Sequence, residues 1–332
     1  MTNPPKSPRR RRRWLRILLA VGALLLVGAV LTLHLQIRKG SCSASLPFAA
    51  TLRNADVDGL RMRWSISGDP DDRRPTLVMI TGLGSGQATW ASVLEGLLRH
   101  GRVFTYDRLG YCESDAAPPG PRDVVTMADE LHGLLETTQI APPYVLVGHS
   151  LGGLVAEAYA ARYPDQIAGL VFDDARAADF MLRCLDALGE SRCADPWWVA
   201  PLLKLAPIQA REFTALQASE AQVRSLEPVS GVPALVLSAG VLRLGDDVLE
   251  VWLDSQRGLA SRYGAQQITF EGSSHFLHTQ DPARFVSLVG AFVDALPAQD
   301  GAGAPHGDSE AERGAAPLQR DRELLEESLD QP

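Results

Sequence analysis

Apolar positions along the chain fall into three kinds of run. The first is nearly unbroken: Ile17–Leu35 carries almost no polar group, and a helix of about 20 apolar residues is what crosses the hydrocarbon core of a bilayer. The second is short and strand-like. Thr76–Thr81, Arg102–Tyr106, Tyr144–Val147, Ala168–Phe172, Val232–Ser238 and Gln267–Phe270 predict strands of a buried parallel sheet, and Gly59–Ser67, with Leu60, Met62, Trp64 and Ile66 alternating against polar neighbours, predicts a half-buried one. The third is helical, at Thr89–His100, Val124–Gln139, Leu154–Arg162, Val248–Tyr263 and Pro282–Leu296. Strands and helices therefore alternate, which predicts a doubly wound, mostly parallel α/β sheet. One stretch breaks the alternation. Ala175–Pro228 is helical in pattern, carries Trp197 and Trp198 and contains no convincing strand. It reads as a cap inserted after the sixth strand, covering a pocket; the plainer alternative is a helical insertion with buried tryptophans.

Composition changes this picture mainly at the ends. The chain has 332 residues, 45% hydrophobic and 22% charged, with a net charge of −8, enough for one large domain with extensions. Residues 1–16 are a basic tail that includes Arg9–Arg13, residues 17–37 the expected transmembrane helix, and residues 38–58 a linker and first edge strand. The α/β core takes 59–174 and 229–297, the cap 175–228, and residues 298–332 form an acidic tail expected to be disordered. Positive charge is heavier before the span, which predicts a single-pass protein with a cytoplasmic N-terminus and everything after residue 40 outside the cytoplasm. A cleaved signal peptide with a site near Ser43-Ala44-Ser45, or a twin-arginine signal in Arg11–Arg16, gives the same destination without a retained span. Beside such a span the arginine run reads as a topology signal rather than a nucleic-acid patch.

The densest chemistry lies at Tyr144–Gly153, where a run of β-formers leads into Gly148-His149-Ser150-Leu151-Gly152 and an Ala-rich helical pattern follows at once. Strand, G-x-S-x-G and helix in that order make a nucleophile elbow. The serine sits on a sharp turn, the flanking glycines remove Cβ atoms that would clash, and the helix start aims its N–H groups at developing negative charge. No C-x-x-C or H-E-x-x-H spacing points to a metal, and Gly82-Leu83-Gly84 lacks the third glycine of a nicotinamide or flavin fingerprint, so neither cofactor nor metal is expected. The four cysteines allow three pairings; Cys184 and Cys193 bracket a short stretch of the cap and can pair in an oxidising compartment.

Further landmarks stand in order around the elbow. They are Gly82-Leu83-Gly84 after the third strand, Tyr106-Asp107-Arg108-Leu109-Gly110-Tyr111 after the fourth, Gly169-Leu170-Val171-Phe172-Asp173-Asp174 on the sixth and Gly272-Ser273-Ser274-His275 before the last helix. Over roughly Leu60–Leu296 the chain resembles the α/β-hydrolase superfamily. The resemblance implies Ser150 as nucleophile, His275 as general base, a buried aspartate that orients the imidazole, and an oxyanion hole from the backbone N–H groups of Leu83 and Leu151. Where the family usually has His-Gly before the oxyanion residue, this chain has Thr81-Gly82, which keeps the backbone donor. Cys112 stands where the family has Gly or Ala and reads as a structural thiol; His149 and His278 read as packing residues. For the acid, most relatives use the loop after the seventh strand, but Arg243 occupies the expected place, and Asp246 and Asp247 look like a helix cap. Asp174, at the end of the sixth strand, is the preferred acid, with Asp246, Asp247 and Asp173 as alternatives.

The implied function is that of a membrane-anchored serine hydrolase acting on a small, hydrophobic carboxylic ester, thioester or amide. A serine-dependent carbon–carbon bond hydrolase or haloperoxidase-like activity, and a non-catalytic binding domain on the same fold, are the alternatives.

Overall fold

The computed structural model describes Cys42 and residues 52–193, 206–242 and 245–297. Its centre is one eight-stranded sheet in the order β1-β2-β4-β3-β5-β6-β7-β8. The strands are β1 (Arg53–Val57), β2 (Leu60–Ser67), β3 (Thr76–Ile80), β4 (Val103–Tyr106), β5 (Tyr144–His149), β6 (Ile167–Asp173), β7 (Ala234–Ala239) and β8 (Gln266–Phe270). The β1–β2 and β2–β4 pairs are antiparallel; every other pair is parallel. The β1–β2 hairpin turns through Asp58 and Gly59, both at positive φ (52° and 79°), as a two-residue turn matched to strand twist requires.

Helices cover both faces. On one side α2 (Val124–Thr137), α3 (Leu151–Arg162) and the end of α8 (Asp246–Tyr263) pack on Val78, Ile80, Phe104, Leu146, Leu170, Phe172 and Val236. On the other, α1 (Ala91–Leu97) and α10 (Pro282–Asp294) pack on Leu77, Met79, Val103, Val145, Val147, Val171 and Leu237. Successive strand residues thus serve opposite cores, which is why these strands read as unbroken apolar runs. After β3 the chain moves outward to β4 and returns on the other side of β3 to form β5. The crevice at such a reversal, outside the carboxyl ends of the strands, is where open α/β sheets bind ligands.

Between β6 and β7 the described residues form helices and no strand: α4 (Phe180–Leu188), α5 (Glu190–Cys193), α6 (Pro207–Thr214) and α7 (Leu216–Ser225). These helices fall within the stretch expected as a cap, and Trp197 and Trp198 lie outside the described residues. Disulfides join Cys184 to Cys193 and Cys42 to Cys112, one of the three pairings open to four cysteines, and Cys112 is structural as half of a disulfide. Among the described residues no helix is long and apolar enough to cross a membrane. The span expected at 17–37 and both tails lie outside them.

The five expected helices differ from their expected bounds by a few residues at one end or both. The segment expected as Thr89–His100 begins with a 3-10 turn, Gln87–Trp90, and α1 stops at Leu97. The last helix, α10, begins at Pro282 as expected and is preceded by a short helix, α9 (Leu277–Gln280); Pro282 has no N–H and drives Asp281 out of the helical region (φ −136°, ψ 67°), which separates the two. Asp281 then caps α10 by accepting the Arg284 N–H at 3.2 Å.

Candidate active site

The expected nucleophile sits at the sheet's reversal point. β5 pairs with β3 on one side and β6 on the other, and Ser150 follows its last residue. Ser150 has φ 52° and ψ −119°, a conformation that a residue with a Cβ keeps only when its surroundings enforce it. They do: its N–H donates to Asp173 O at 3.2 Å, and its carbonyl accepts from Gly153 and Arg176 N–H, both at 3.0 Å. A Cβ on Gly148 would come within 2.5 Å of Gly152 O, and one on Gly152 within 2.2 Å of Ile80 O. The spacing of the G-x-S-x-G motif is therefore a steric requirement of packing α3 directly beneath β3. The first N–H groups of α3, beginning with Leu151, have no acceptor within the helix.

Asp174 follows β6 at φ 41°, and its N–H extends the ladder to Leu237 O at 2.8 Å. Its fully buried carboxylate is held from three directions. Oδ1 accepts from Ala239 N–H at 2.9 Å and from Trp252 Nε1 at 2.8 Å, and Oδ2 lies 2.7 Å from His275 Nδ1. A carboxylate that already takes two N–H donors leaves an acceptor facing the ring. Nδ1 therefore carries the imidazole proton and Nε2 is left as a base. The Trp252 indole also packs edge-on to the His275 ring, with centroids 5.9 Å apart.

His149 holds the backbone of His275. Its Nε2 donates to the His275 carbonyl at 2.8 Å, and burial pushes its pKa down to about 3, so the ring stays neutral. Asp173, an alternative acid on sequence grounds, instead faces His278: Oδ2 lies 2.5 Å from Nδ1, and both side chains are fully buried. His278 Nε2 meets the Thr89 hydroxyl at 2.9 Å, so the pair ties β6 to the 3-10 turn and to the start of α9. Potential ligand atoms of His149, Asp173 and His278 lie within 4.8 Å of one another. The aspartate–imidazole bond and the His149 bond to backbone engage Asp173 Oδ2, His278 Nδ1 and His149 Nε2, while His149 Nδ1 and Asp173 Oδ1 are buried without a hydrogen-bond partner.

The other alternative acids lie elsewhere. Asp246 and Asp247 occupy the first turn of α8 behind Gly245, and Asp247 Oδ1 accepts the Val248 N–H at 3.0 Å. Asp247 is paired with Arg192 of α5.

The expected oxyanion loop lies against the serine. A Cβ on Gly82 would be 3.0 Å from Ser150 Cβ and 2.7 Å from His149 Nδ1. Arg108 supports this loop from behind. Nη1 donates to Thr81 O at 2.6 Å and Oγ1 at 2.8 Å, and Nη2 to Gly82 O at 2.9 Å. The same guanidinium meets Glu212 of α6 at 3.1 Å through both Nε and Nη2. Burial is the largest influence on the Arg108 pKa and lowers it, but Glu212 together with Tyr111 and Tyr106 more than offsets it and the group is raised. Tyr111 is raised as well, first by burial and then by Glu212, so its hydroxyl keeps its proton. Trp252 and Glu212 carry no local sequence signal, since each reaches the site from a helix remote in the chain. Arg108 and Tyr111 stood inside a recognised motif whose use only the fold reveals.

A family profile described as "alpha/beta hydrolase fold" matches residues 75–202. A (Lyso)-N-acylphosphatidylethanolamine lipase from Mus musculus is 35% identical over 140 residues, 41% of this chain and 40% of that protein. A putative carbamate hydrolase RutD from Pantoea ananatis is 36% identical over 110 residues, 33% of this chain and 40% of that protein. The chain spans 33–51% of the length of the mouse, human and bovine lipases of that name. The crystal structure of the enol-lactonase from Burkholderia xenovorans LB400 superposes with a TM-score of 0.52 at 24% identity, covering 73% of this chain and 100% of that one.

Proposed function

From the premise that this chain is an enzyme with the α/β-hydrolase fold, we propose that it is a serine hydrolase cleaving a carboxylic ester through an acyl-enzyme on Ser150. The observation that carries the reading is the buried Asp174 carboxylate 2.7 Å from His275 Nδ1, with its other oxygen held by Ala239 and Trp252. A domain used only for binding has no need of an aspartate–imidazole pair beside a strained serine. In the first half-reaction Ser150 Oγ attacks the ester carbonyl carbon as His275 Nε2 takes its proton. The tetrahedral oxyanion rests on the N–H groups of Leu83 and Leu151. Its collapse breaks the bond to the alcohol oxygen, which receives the proton from Nε2. Water then attacks the acyl-enzyme by the same route, and the acid leaves with Ser150 restored.

The lipase name of the mouse relative favours a lipid-type ester. Leu182 and Leu185 on α4 and Phe276 beside His275 are exposed, which suits an apolar acyl chain or alcohol. We further read residues 17–37 as a membrane anchor that places the hydrolase outside the cytoplasm. Two disulfides, Cys42–Cys112 and Cys184–Cys193, support an oxidising compartment. Ser150→Ala tests the mechanism: labelling by a fluorophosphonate should disappear, and hydrolysis of a p-nitrophenyl ester should fall by ~10⁴-fold or more. Near-wild-type turnover in that variant rules it out.

A further inference from the structure

The cap does more than roof the crevice. Its helix α6 reaches the oxyanion loop through two routes that meet at one carboxylate. Glu212 is completely buried and accepts from Arg108 through Nε and Nη2, both at 3.1 Å, and from the Tyr111 hydroxyl at 2.6 Å. Arg108 Nη2 also donates to Gly82 O at 2.9 Å, and the Tyr111 hydroxyl accepts the Gly84 N–H at 3.0 Å. Gly82 O belongs to the same peptide unit as the Leu83 N–H. That unit is planar and trans, so its carbonyl and N–H point in opposite directions. Drawing the carbonyl toward Arg108 therefore aims the N–H away from it. Hydrogen bonding of the carbonyl to a cation also polarises the peptide and strengthens the N–H as a donor. The next peptide, which ends at the Gly84 N–H, is held by Tyr111. Leu83 is thus fixed at both of its peptide bonds by residues that Glu212 orients.

The rest of α6 seats the carboxylate. A Cβ on Gly110 would lie 2.6 Å from Ile208 Cγ1, so the helix lies directly on the loop that carries Arg108 and Tyr111. Arg211 donates to Gly120 O at 2.7 Å and 3.1 Å and to Ala117 O at 3.3 Å, and it also reaches Pro118 O.

We propose that Glu212 is a positioning residue of the oxyanion hole, so that seating of the cap through Arg108 and Tyr111 sets the donor that stabilises the tetrahedral intermediate. The proposal rests on the serine-hydrolase reading and locates in the cap a determinant of its rate. It separates from a purely structural role because the effect belongs in kcat and not in substrate affinity or folding.

The experiment uses the full chain with two variants. Tyr111→Phe leaves the Arg108–Glu212 pair in place and removes one hydroxyl. Glu212→Gln keeps the shape and removes the charge, at the risk of leaving a buried guanidinium unpaired. Loss of a whole oxyanion donor costs ~10²–10³-fold in kcat, and displacement by about 1 Å costs ~10²-fold. Both variants should therefore lower kcat on a p-nitrophenyl ester by ~10-fold to ~10²-fold. KM should stay near wild type in both, the melting temperature should stay near wild type in Tyr111→Phe and fall in Glu212→Gln as the guanidinium loses its partner, and a fluorophosphonate should still titrate one serine per chain. The inhibition constant of phenylboronic acid, whose adduct with the serine places an oxygen in the oxyanion position, should rise by a similar factor. The double variant should lose less than the product of the two single effects, because the two act through one loop. Wild-type kcat in folded Tyr111→Phe overturns the proposal, as does a fall in kcat with no change in boronate inhibition. Failure of the wild-type protein itself to label or to hydrolyse esters would instead refute the serine-hydrolase reading.

Discussion

Replacing Asp174 with Asn tests the acid, and the structure dictates how the replacement acts. Asn is the same size, and its carbonyl oxygen can keep both donors now on Oδ1, the Ala239 N–H at 2.9 Å and the Trp252 Nε1–H at 2.8 Å. Those two donors fix which end of the amide faces outward. The NH₂ group is then directed at His275 Nδ1, where Oδ2 stood at 2.7 Å. Two donors cannot face one another, so the imidazole moves its proton to Nε2 and presents a bare Nδ1 to the amide. The ring keeps its place but can no longer take the Ser150 proton. In triads of this kind such a tautomer exchange lowers kcat by ~10⁴-fold, about 5 kcal/mol of transition-state stabilisation. The measurement is kcat on a p-nitrophenyl ester, normalised by the melting temperature and near-ultraviolet circular dichroism of the variant. A folded Asp174→Asn within ten-fold of wild type, together with loss of activity in Asp246→Asn or Asp247→Asn, would place the acid in the loop after β7 and refute the assignment.

Two other expectations follow. Glu157 on α3 is almost fully buried, and burial raises its carboxyl from 4.5 to about 7 despite Arg262 at 3.3 Å. A raised folded value means that the native state holds more protons than the unfolded chain between those pH values. Stability should therefore fall by up to about 3 kcal/mol as pH rises from 4.5 to 7. Glu157→Gln should flatten that slope in urea melts at pH 5 and pH 7.5, and an unchanged slope would show that the carboxyl is not its source. For topology, a reporter fused after residue 300 should be active only if it requires export; a cytoplasmic-type signal would reject the proposed orientation, and a shortened soluble product would indicate a cleaved signal.

The parts of this protein that were legible in the sequence are those whose determinants are local. Six of the strands lie within a few residues of their apolar runs, because parallel strands covered on both faces tolerate little else. Gly148, Gly152 and Ser150 were readable because one turn demands all three. The ends of α1 were less so, since a 3-10 turn acted within an otherwise continuous helical pattern, and the four-residue α9 is too short to leave a pattern. Interactions across the fold were not readable. Nothing near Trp252 marks it as a donor to Asp174, 78 residues away in the chain. Nothing near Glu212 marks it as the partner of Arg108, 104 residues away. The pairing of Cys42 with Cys112 spans 70 residues and was one of the alternatives that counting cysteines leaves open.

With Asp174 as the proposed acid, one fold can draw the same group from either of two strands. β6 and β7 are parallel neighbours, with Asp173 opposite Leu237. Asp174 continues the ladder by donating to Leu237 O at 2.8 Å, and its carboxylate then reaches the Ala239 N–H at the end of β7. A side chain leaving β6 here thus arrives where a side chain leaving β7 would start. The requirement imposed by the chemistry is a buried acceptor at His275 Nδ1, and the backbone that supplies it is secondary. In this chain the unit after β6 supplies the carboxylate, and the unit formed by β7 and α8 supplies the Ala239 and Trp252 donors that hold it. Once that division is made, the acidic residues at the start of α8 are released from the site. Asp247 accordingly forms an ion pair with Arg192 of the cap, on an exposed surface where its contribution to stability is small.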